Sequence, residues 1–181
     1  ALIAACAKFP DQPLVVVSAG TATTVDCVRA EPYSAAVFMG GVIAPGFGLM
    51  RESLARGTAR LPLADEAEPP SAHAGSTDQA IASGVLYAQL GLVENVVREF
   101  AAELEKAQLD PPRLLLTGGR ARPLFGPLSR SVLAERAVSA LSLEHNLVLR
   151  GIALRAHAEQ AAAVPVAADE SPPTVTGLSA Q

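Results

Sequence analysis

The residues of this sequence best suited to chemistry form a short segment of small and hydroxyl side chains, which reads SAGTATTVD over residues 18–26. The apolar run LVVV leads into it, so the segment is predicted to turn between two strands. Gly20 leaves space beside the backbone, and Thr21, Thr23 and Thr24 can offer hydroxyl and N–H donors to phosphate oxygens. The segment is therefore a candidate phosphate-binding hairpin, although an ordinary hairpin with β-branched flanks fits the same letters.

A second candidate for ligand contact is the glycine pair Gly118 and Gly119. It follows the apolar run LLLT and precedes a helix predicted over residues 122–136. A strand, glycines and a helix in this order let a phosphate or a base approach the backbone closely. A tight strand-to-helix turn with no ligand has the same pattern, and both interpretations stay open.

The longest predicted helix begins with polar residues that could contact a substrate. Ser76 and Gln79 have capping-box spacing, and apolar residues then recur at helical spacing as far as Leu104. Thr77 falls in the first turn, where free N–H groups and the positive end of the helix dipole suit an anionic or polar group. The alternative is that Thr77 belongs only to the helix cap and binds no substrate.

Two glycines interrupt this long helix. Gly84 and Gly91 are seven residues apart and so lie on nearly the same face. Glycine inside a helix lowers its stability unless another backbone packs closely there. We therefore expect a close contact at these glycines, either at a subunit interface or within the same subunit.

The elements that must position these residues alternate along the chain. A first helix is predicted over residues 1–8. Strands follow at 14–17, 23–28 and 35–42, then a helix at 49–56 with Gly57 in the C′ position, a strand at 114–116 and helices at 122–136 and 147–160. Turns are expected at residues 31–32, a long loop at 62–75 and a cap at Asn146. This order predicts an α/β fold with a mixed sheet covered by helices. Residues 161–181, poor in large apolar side chains, are predicted to be a disordered tail.

Composition limits the class of protein. The chain has 181 residues, enough for one domain, and 50% are hydrophobic but only 4% aromatic, so its core must be aliphatic. A net charge of -4 and a pI near 5.4 argue against nucleic acid or an anionic membrane as partner. The apolar stretches are broken by glycine, proline or charge before the ~18 residues that a membrane span requires. We therefore expect a soluble domain.

The cysteines and histidines lack spacings that indicate catalysis or metal binding. Cys6 and Cys27 form no CxxC motif and are expected to be buried, unreactive thiols in a reducing compartment. His73, His145 and His157 form no triad and no metal-ligand pattern. They are predicted to lie in a loop, near a helix start and on an exposed helix, respectively.

Four charged residues lie near the candidate ligand segments. Asp26 is the only carboxylate of the hairpin segment and could approach Mg²⁺ through water, or could point away from the site. Arg60, Arg120 and Arg122 are the nearest basic residues. Each could meet a phosphate or remain a solvated surface charge.

Five segments, in their order and spacing, resemble the type III pantothenate kinase family over most of residues 1–155. They are residues 18–26, GGVIAPG at 40–46, TARLP at 58–62, GSTDQAIASG at 75–84 and TGG at 117–119. Ser18, where most members have Asp, further resembles the Bvg accessory factor branch. The resemblance implies an actin-like ATPase fold of two ribonuclease-H-like halves with the active site between them, and residues 1–160 match the C-terminal half.

The resemblance also implies an activity. Members of the family phosphorylate pantothenate with ATP to give 4′-phosphopantothenate, the first committed step toward coenzyme A, and act as cytoplasmic homodimers. It assigns Thr21, with Gly20, Gly118 and Gly119, to ATP binding, and Thr77 to pantothenate binding. The implied cofactors are ATP with Mg²⁺, and a monovalent cation, K⁺ or NH₄⁺.

The sequence departs from the family pattern in two ways. Ser18 replaces the Asp that helps to hold the monovalent cation, and because a hydroxyl is a poorer cation ligand than a carboxylate, K⁺ dependence is expected to be altered. The family's first phosphate motif, its aromatic pantothenate contact and its catalytic Asp all belong upstream of Ala1. The resemblance thus places no catalytic residue in this chain and predicts that an N-terminal half is missing and that these residues alone are inactive.

Two other functions fit the same residues. One is an accessory factor that affects transcription without a DNA-binding element of its own, through coenzyme A supply or a protein partner. The other is a different actin-fold phosphotransferase or phosphatase that uses the same hairpin on another substrate. Only the segment around Thr77 separates that second alternative from pantothenate phosphorylation.

Overall fold

A computed structural model describes residues 1–30, 36–58, 61–63, 70–131 and 137–163. Its elements, in chain order, are α1 (Leu2–Lys8), β1 (Leu14–Ala19), β2 (Ala22–Arg29), β3 (Val37–Pro45), α2 (Phe47–Gly57), α3 (Thr77–Lys106), β4 (Arg113–Thr117), α4 (Arg122–Ser129), β5 (Ala140–Leu143) and α5 (Leu147–Ala163). The arrangement confirms the predicted α/β class.

The five strands form one mixed sheet in the order β3-β2-β1-β4-β5. β2 pairs antiparallel with both β1 and β3, whereas β1, β4 and β5 are parallel to one another. Ser18 on β1 is level with Thr24 on β2 and with Thr117 on β4. The predicted hairpin and the glycine pair therefore lie side by side at the carboxyl ends of parallel strands, where open α/β sheets bind ligands.

The central strands are buried on both faces, which explains their continuous apolar runs. On one face, Val15 and Val17 of β1 belong to the same core cluster as α3 and α4 side chains such as Val97 and Leu124. On the other face, Val16 belongs to a second cluster, with residues from α1 and with Leu147 at the start of α5. β1 and β4 are thus fixed from both sides, and the loops at their ends start from a rigid base.

The α3 helix is the longest element, with 30 residues. As predicted, Ser76 caps it by accepting the N–H of Gln79 at 3.1 Å, while the Gln79 side-chain oxygen accepts the N–H of Gly75 at 2.8 Å. Among the described residues, α3 is also the one helix long and apolar enough to cross a membrane by length and composition, so the expectation that every apolar stretch is interrupted before that length is wrong. Val93 and Phe100 of α3 pack in the core cluster beneath the sheet, whereas Ile81 and Val85 belong to a separate small cluster.

Several element boundaries differ from the predictions. β3 continues to Pro45, and α2 begins at Phe47 because Gly46, in extended conformation, serves as its N-cap. Gly57 is the last residue of α2 rather than the residue after it. The α4 helix ends at Ser129, while residues 132–136 lie outside the described part of the chain.

The C-terminal elements and the glycines of α3 also differ from the predictions. β5 was not predicted, and α5 extends to Ala163 rather than ending at residue 160. The turn at residues 31–32, Arg60 and the predicted disorder of residues 164–181 lie outside the described residues. No described atom beyond the helix's own backbone lies within 4 Å of a Cβ built at Gly84 or at Gly91, so the described part of the chain makes no tight contact at either glycine.

Candidate functional site

A cavity of about 490 Å³ opens at the carboxyl ends of β1 and β4. Three segments of the chain line it, and we call it the hairpin cavity. Its residues are Ser18, Ala19, Gly20, Ala22 and Thr24 from the β1–β2 hairpin, Thr117, Gly118 and Gly119 from the turn after β4, and His145, Asn146, Leu147, Val148 and Leu149 from the start of α5. The structure therefore brings together the two segments that the sequence singled out independently.

The β1–β2 turn is tight and its tip is open to solvent. The Gly20 N–H donates to the Ala22 carbonyl at 2.9 Å, and Gly20 and Thr21 are both exposed. Thr23, in contrast, is fully buried, and with Val25 it lies on the face of β2 that packs in the α3 core cluster. The suggestion that the Thr23 hydroxyl meets a phosphate is therefore wrong, because alternation along the strand turns it away from the cavity.

Gly118 brings the turn after β4, the second wall of the hairpin cavity, into contact with the β1–β2 hairpin, the first wall. Its φ is +97°, which favours glycine, and a Cβ there would collide with the carbonyl of Ala19. The Arg120 N–H also donates to that carbonyl, at 3.0 Å. Gly119 is exposed and has no described atom within 4 Å of a Cβ built on it, so a ligand could approach its backbone.

The third wall, at the start of α5, was missed as a site by the sequence analysis. Glu144, which is 9% exposed, directly follows β5 and donates its backbone N–H to the Leu116 carbonyl at 2.7 Å. Its carboxylate accepts hydrogen bonds from Lys8 Nζ at 2.7 and 2.8 Å and from Ser142 Oγ at 3.2 Å. Burial opposes the charge, but Lys8, the Ser142 hydroxyl and the charge of Arg150 together hold the pKa of Glu144 below its ordinary value. This ion pair ties α1 to the residue that precedes the third wall.

Asp26 lies on β2, two residues beyond the cavity-lining Thr24. The Thr24 hydroxyl donates to Asp26 Oδ2 at 3.1 Å, and Asp26 itself does not line the hairpin cavity. The described residues contain no group of three or more His, Cys, Asp or Glu side chains that could hold a metal ion. Asp26 and its neighbours therefore do not form a complete set of protein ligands for Mg²⁺. They suit a Mg²⁺ ion that is held mainly by bound phosphates and needs only one or two carboxylates.

Thr77 lines a different cavity, of about 510 Å³, between α2 and α3, which we call the Thr77 cavity. Thr77 is exposed and is the first residue of α3, as predicted, and the cavity walls beside it are apolar, with Met50, Leu54 and Ile81 among them. Within the described chain, Thr77 and the glycines of the hairpin cavity therefore do not share one cavity.

The loop before Thr77 is held to α3 by one buried hydroxyl. The Ser71 N–H donates to Ser83 Oγ at 2.9 Å, and Ser83 Oγ donates to the Gln79 carbonyl at 2.6 Å. Ser83 is 3% exposed. Because Ser83 is one turn beyond Gln79, these bonds fix the loop against the first turns of the helix that carries Thr77.

Two arginines line a third, smaller cavity of about 150 Å³, which also contains Phe47 and Leu86. Arg120, one of the predicted phosphate contacts, is one of them, and each arginine has an interaction partner. The other is Arg51 on α2, which is buried and which the sequence analysis missed. Its position four residues after Phe47 was the available signal, because that spacing puts both on the same helix face. Arg122 is exposed at the start of α4.

The remaining titratable residues behave largely as expected. His73 lies in an exposed loop, where its backbone N–H donates to Ser71 Oγ at 3.1 Å, and His157 is exposed on α5. Cys27 is buried, and its burial, reinforced by the charges of Asp26 and Glu103, raises the pKa of the thiol to about 11. Cys6 is only half-buried, and burial raises its pKa as well.

The strand order and the cavity define an α/β domain with a mixed five-stranded sheet and a ligand-sized cavity at the carboxyl ends of its parallel strands. A solved structure from Campylobacter jejuni, described as a conserved Baf family transcriptional activator, has the same fold. Its TM-score to this chain is 0.52 at 22% identity, covering 87% of this chain and 63% of that one.

The sequence comparisons identify the family. A model of the type III pantothenate kinase family matches residues 1–99, and the chain belongs to this family. The type III pantothenate kinase of Burkholderia mallei (strain SAVP1) is 40% identical over 172 residues, which cover 86% of this chain and 59% of that protein. That of Anaeromyxobacter sp. (strain K) is 40% identical over 119 residues, which cover 66% of this chain and 43% of that protein. The chain thus spans less than two thirds of the length of these relatives.

Proposed function

We propose that the protein to which this chain belongs transfers a phosphoryl group from ATP to pantothenate, giving 4′-phosphopantothenate for coenzyme A synthesis. One observation carries the proposal: the β1–β2 hairpin and the Gly118-Gly119 turn meet in one cavity of about 490 Å³ at the ends of parallel strands. Family membership supplies the reaction, and this cavity supplies a place for the nucleotide.

In this proposal the nucleotide binds in the hairpin cavity. The exposed Thr21 contacts its phosphates through its backbone N–H and its hydroxyl, and Gly20, whose own N–H is bonded to the Ala22 carbonyl, leaves space for them beside the backbone. Gly118 and Gly119 allow the ligand to lie against the backbone of the second wall. Support comes from the open space at Gly119 and from the rigid contact between Gly118 and Ala19.

Thr77 contacts pantothenate at the start of α3. The uncompensated N–H groups of a helix N-terminus suit a carboxylate, and the apolar wall formed by Met50, Leu54 and Ile81 suits the methyl groups of pantothenate. Phosphoryl transfer requires both substrates in one in-line arrangement. The two cavities are separate within the described chain, and we propose that an N-terminal half brings the substrates together and supplies the catalytic carboxylate, with residues 1–160 as the C-terminal half.

Mg²⁺ would enter with ATP, where it neutralises phosphate charge. Ser18 lies on the wall of the hairpin cavity and would be a neutral neighbour for a monovalent cation. K⁺ or NH₄⁺ should therefore stimulate this enzyme less than it stimulates a relative that has Asp at this position. The proposal further includes a cytoplasmic homodimer. Gly84, which lines the Thr77 cavity, has no described atom within 4 Å of a Cβ built on it, and this supports the packing of a second subunit there.

The test is an assay of the full-length protein with ATP and pantothenate, in which 4′-phosphopantothenate is detected by mass. We expect turnover, a large loss in Thr77→Val and retention of activity in the matched control Thr77→Ser, which keeps the hydroxyl. Absence of product from pantothenate would refute the proposal. ATP consumption with other alcohols only would favour a different phosphotransferase of this fold.

A regulatory role is a second candidate, favoured by the description of the Campylobacter jejuni structure as a transcriptional activator. At a net charge of -4 such a role would act through coenzyme A supply or a protein partner rather than through DNA. Thr21→Ala separates the candidates, since an effect on transcription that survives the loss of turnover would be independent of catalysis.

A further inference from the structure

Gln89 is a fully buried polar side chain in the middle of α3. Its Nε2 donates to the main-chain carbonyl of Pro45 at 2.8 Å and lies 3.4 Å from Met50 Sδ. Its oxygen has no hydrogen-bond partner within the described part of the chain. Burying an amide with one unmet polar atom costs free energy that an apolar side chain would not cost. The bond to Pro45 is thus the one clear gain from this residue type here.

Pro45 is directly connected to the turn between β1 and β2. It is the last residue of β3 and pairs with Ala22. The next residue, Gly46, donates its N–H to the Thr21 carbonyl at 2.8 Å. A Cβ at Gly46 would collide with the carbonyls of Gly20 and Thr21, so the two backbones are in direct contact. A displacement of Pro45 would therefore displace the turn.

We propose that Gln89 is a positioning residue for the nucleotide-binding turn, acting through Pro45 and Gly46 on Gly20 and Thr21. This inference rests on the proposed function. The side-chain amide holds the end of β3, an edge strand that pairs with a neighbour on one side only. With β3 held, Gly46 supports the turn from behind, and the exposed side of Thr21 is left facing the phosphates. Phosphate contacts depend on such fixed donors.

The test compares Gln89→Met, which keeps the length of the side chain but removes the donor, with Val97→Ala. Val97 is also fully buried on α3 but packs in the core away from Pro45. Hydrogen exchange of full-length protein is measured on a peptide that contains residue 46. We expect Gln89→Met to speed exchange of the Gly46 amide by about tenfold, whereas Val97→Ala lowers the melting temperature without this local effect. Unchanged Gly46 exchange in Gln89→Met overturns the proposal.

Kinetics on the same variants give a second readout. Gln89→Met should raise the KM for ATP by about tenfold and the KM for pantothenate by no more than about twofold, the smaller effect arising because Gln89 also contacts Met50 on the wall of the Thr77 cavity. A general loss of stability does not produce such a split. An equal effect on both substrates would also overturn the proposal. If Gln89→Met does not fold, Gln89→Asn, an amide one carbon shorter, replaces it in both experiments. Should the wild-type protein not turn over pantothenate, the proposed function fails, but the exchange experiment still tests the positioning role.

Discussion

Gly118 lies against the carbonyl of Ala19, so that the glycine turn after β4 touches the end of β1 directly. Replacing Gly118 by Ala adds a Cβ where there is no space and at a φ of +97°. We expect Gly118→Ala to lower the free energy of unfolding by about 2–3 kcal/mol. The matched control is Gly119→Ala, which meets open space and should cost less than about 1 kcal/mol. Urea denaturation of both variants measures the difference, and equal costs would contradict the described contact.

The ion pair between Lys8 and Glu144 predicts a pH-dependent stability. Because the folded state lowers the pKa of Glu144, the contribution is present above the ordinary pKa of 4.5 and is lost as pH falls through the lowered value. We expect Glu144→Gln to reduce the free energy of unfolding by about 1 kcal/mol at pH 7, a small value because Lys8 is 43% exposed. The gap between wild type and variant should close at acid pH. A constant gap from pH 7 to pH 3 would contradict this assignment.

The two thiols should differ in reactivity. With a pKa of about 11, Cys27 has roughly one thiolate in a thousand at pH 8, and its burial further limits access. We expect a thiol reagent to label Cys6 in the folded protein and to label Cys27 only on unfolding. The Cys6→Ser variant isolates Cys27, and its rapid labelling in the native state would show that β2 opens locally.

Gly91 offers a test of the open helix surface. Because no described atom lies near a Cβ built there, Gly91→Ala should stabilise α3 by about 0.5–1 kcal/mol. Thermal denaturation of the variant measures the effect. A destabilisation, accompanied by a change in oligomeric state on size-exclusion chromatography, would instead indicate that a second copy packs on this face.

The last prediction concerns Ser18 and the response of the enzyme to K⁺. In the full-length enzyme, Ser18→Asp should increase the stimulation of turnover by K⁺, because a carboxylate on the cavity wall is a stronger cation ligand than a hydroxyl. Ser18→Asn, similar in size but neutral, is the control. Equal K⁺ response in all three proteins would mean that this position does not contact the cation.

The sequence predicted the elements whose residues are buried in a regular pattern. The runs around Val16 and Leu115 indicated strands because both faces of the central sheet are apolar, and Ser76 marked the start of α3 because its side chain caps the helix. In contrast, β5 was missed because it has four residues and no β-branched side chain. Its pairing with β4 is a tertiary interaction that local propensity does not contain.

Only the part of the candidate site that lies in short local motifs was predicted from the sequence. Gly20 and Gly118 were identified from short motifs, and the structure brings both to one cavity. Gln89 and Glu144 carry no local signal, since their partners Pro45 and Lys8 are 44 and 136 residues away. Thr23 was assigned wrongly, because which face of β2 is buried depends on the packing of α3.

The α3 helix carries Thr77 at its first position and Gln89 three turns later, and this fixes a distance. At a rise of about 1.5 Å per residue, the two side chains are anchored roughly 18 Å apart along one rigid rod. Inserting a single residue between them would lengthen that rod by about 1.5 Å and rotate Thr77 by about 100° relative to Pro45. The number of residues between Thr77 and Gln89, and not only the identity of the contacting residues, therefore sets how the Thr77 cavity is oriented relative to the hairpin cavity.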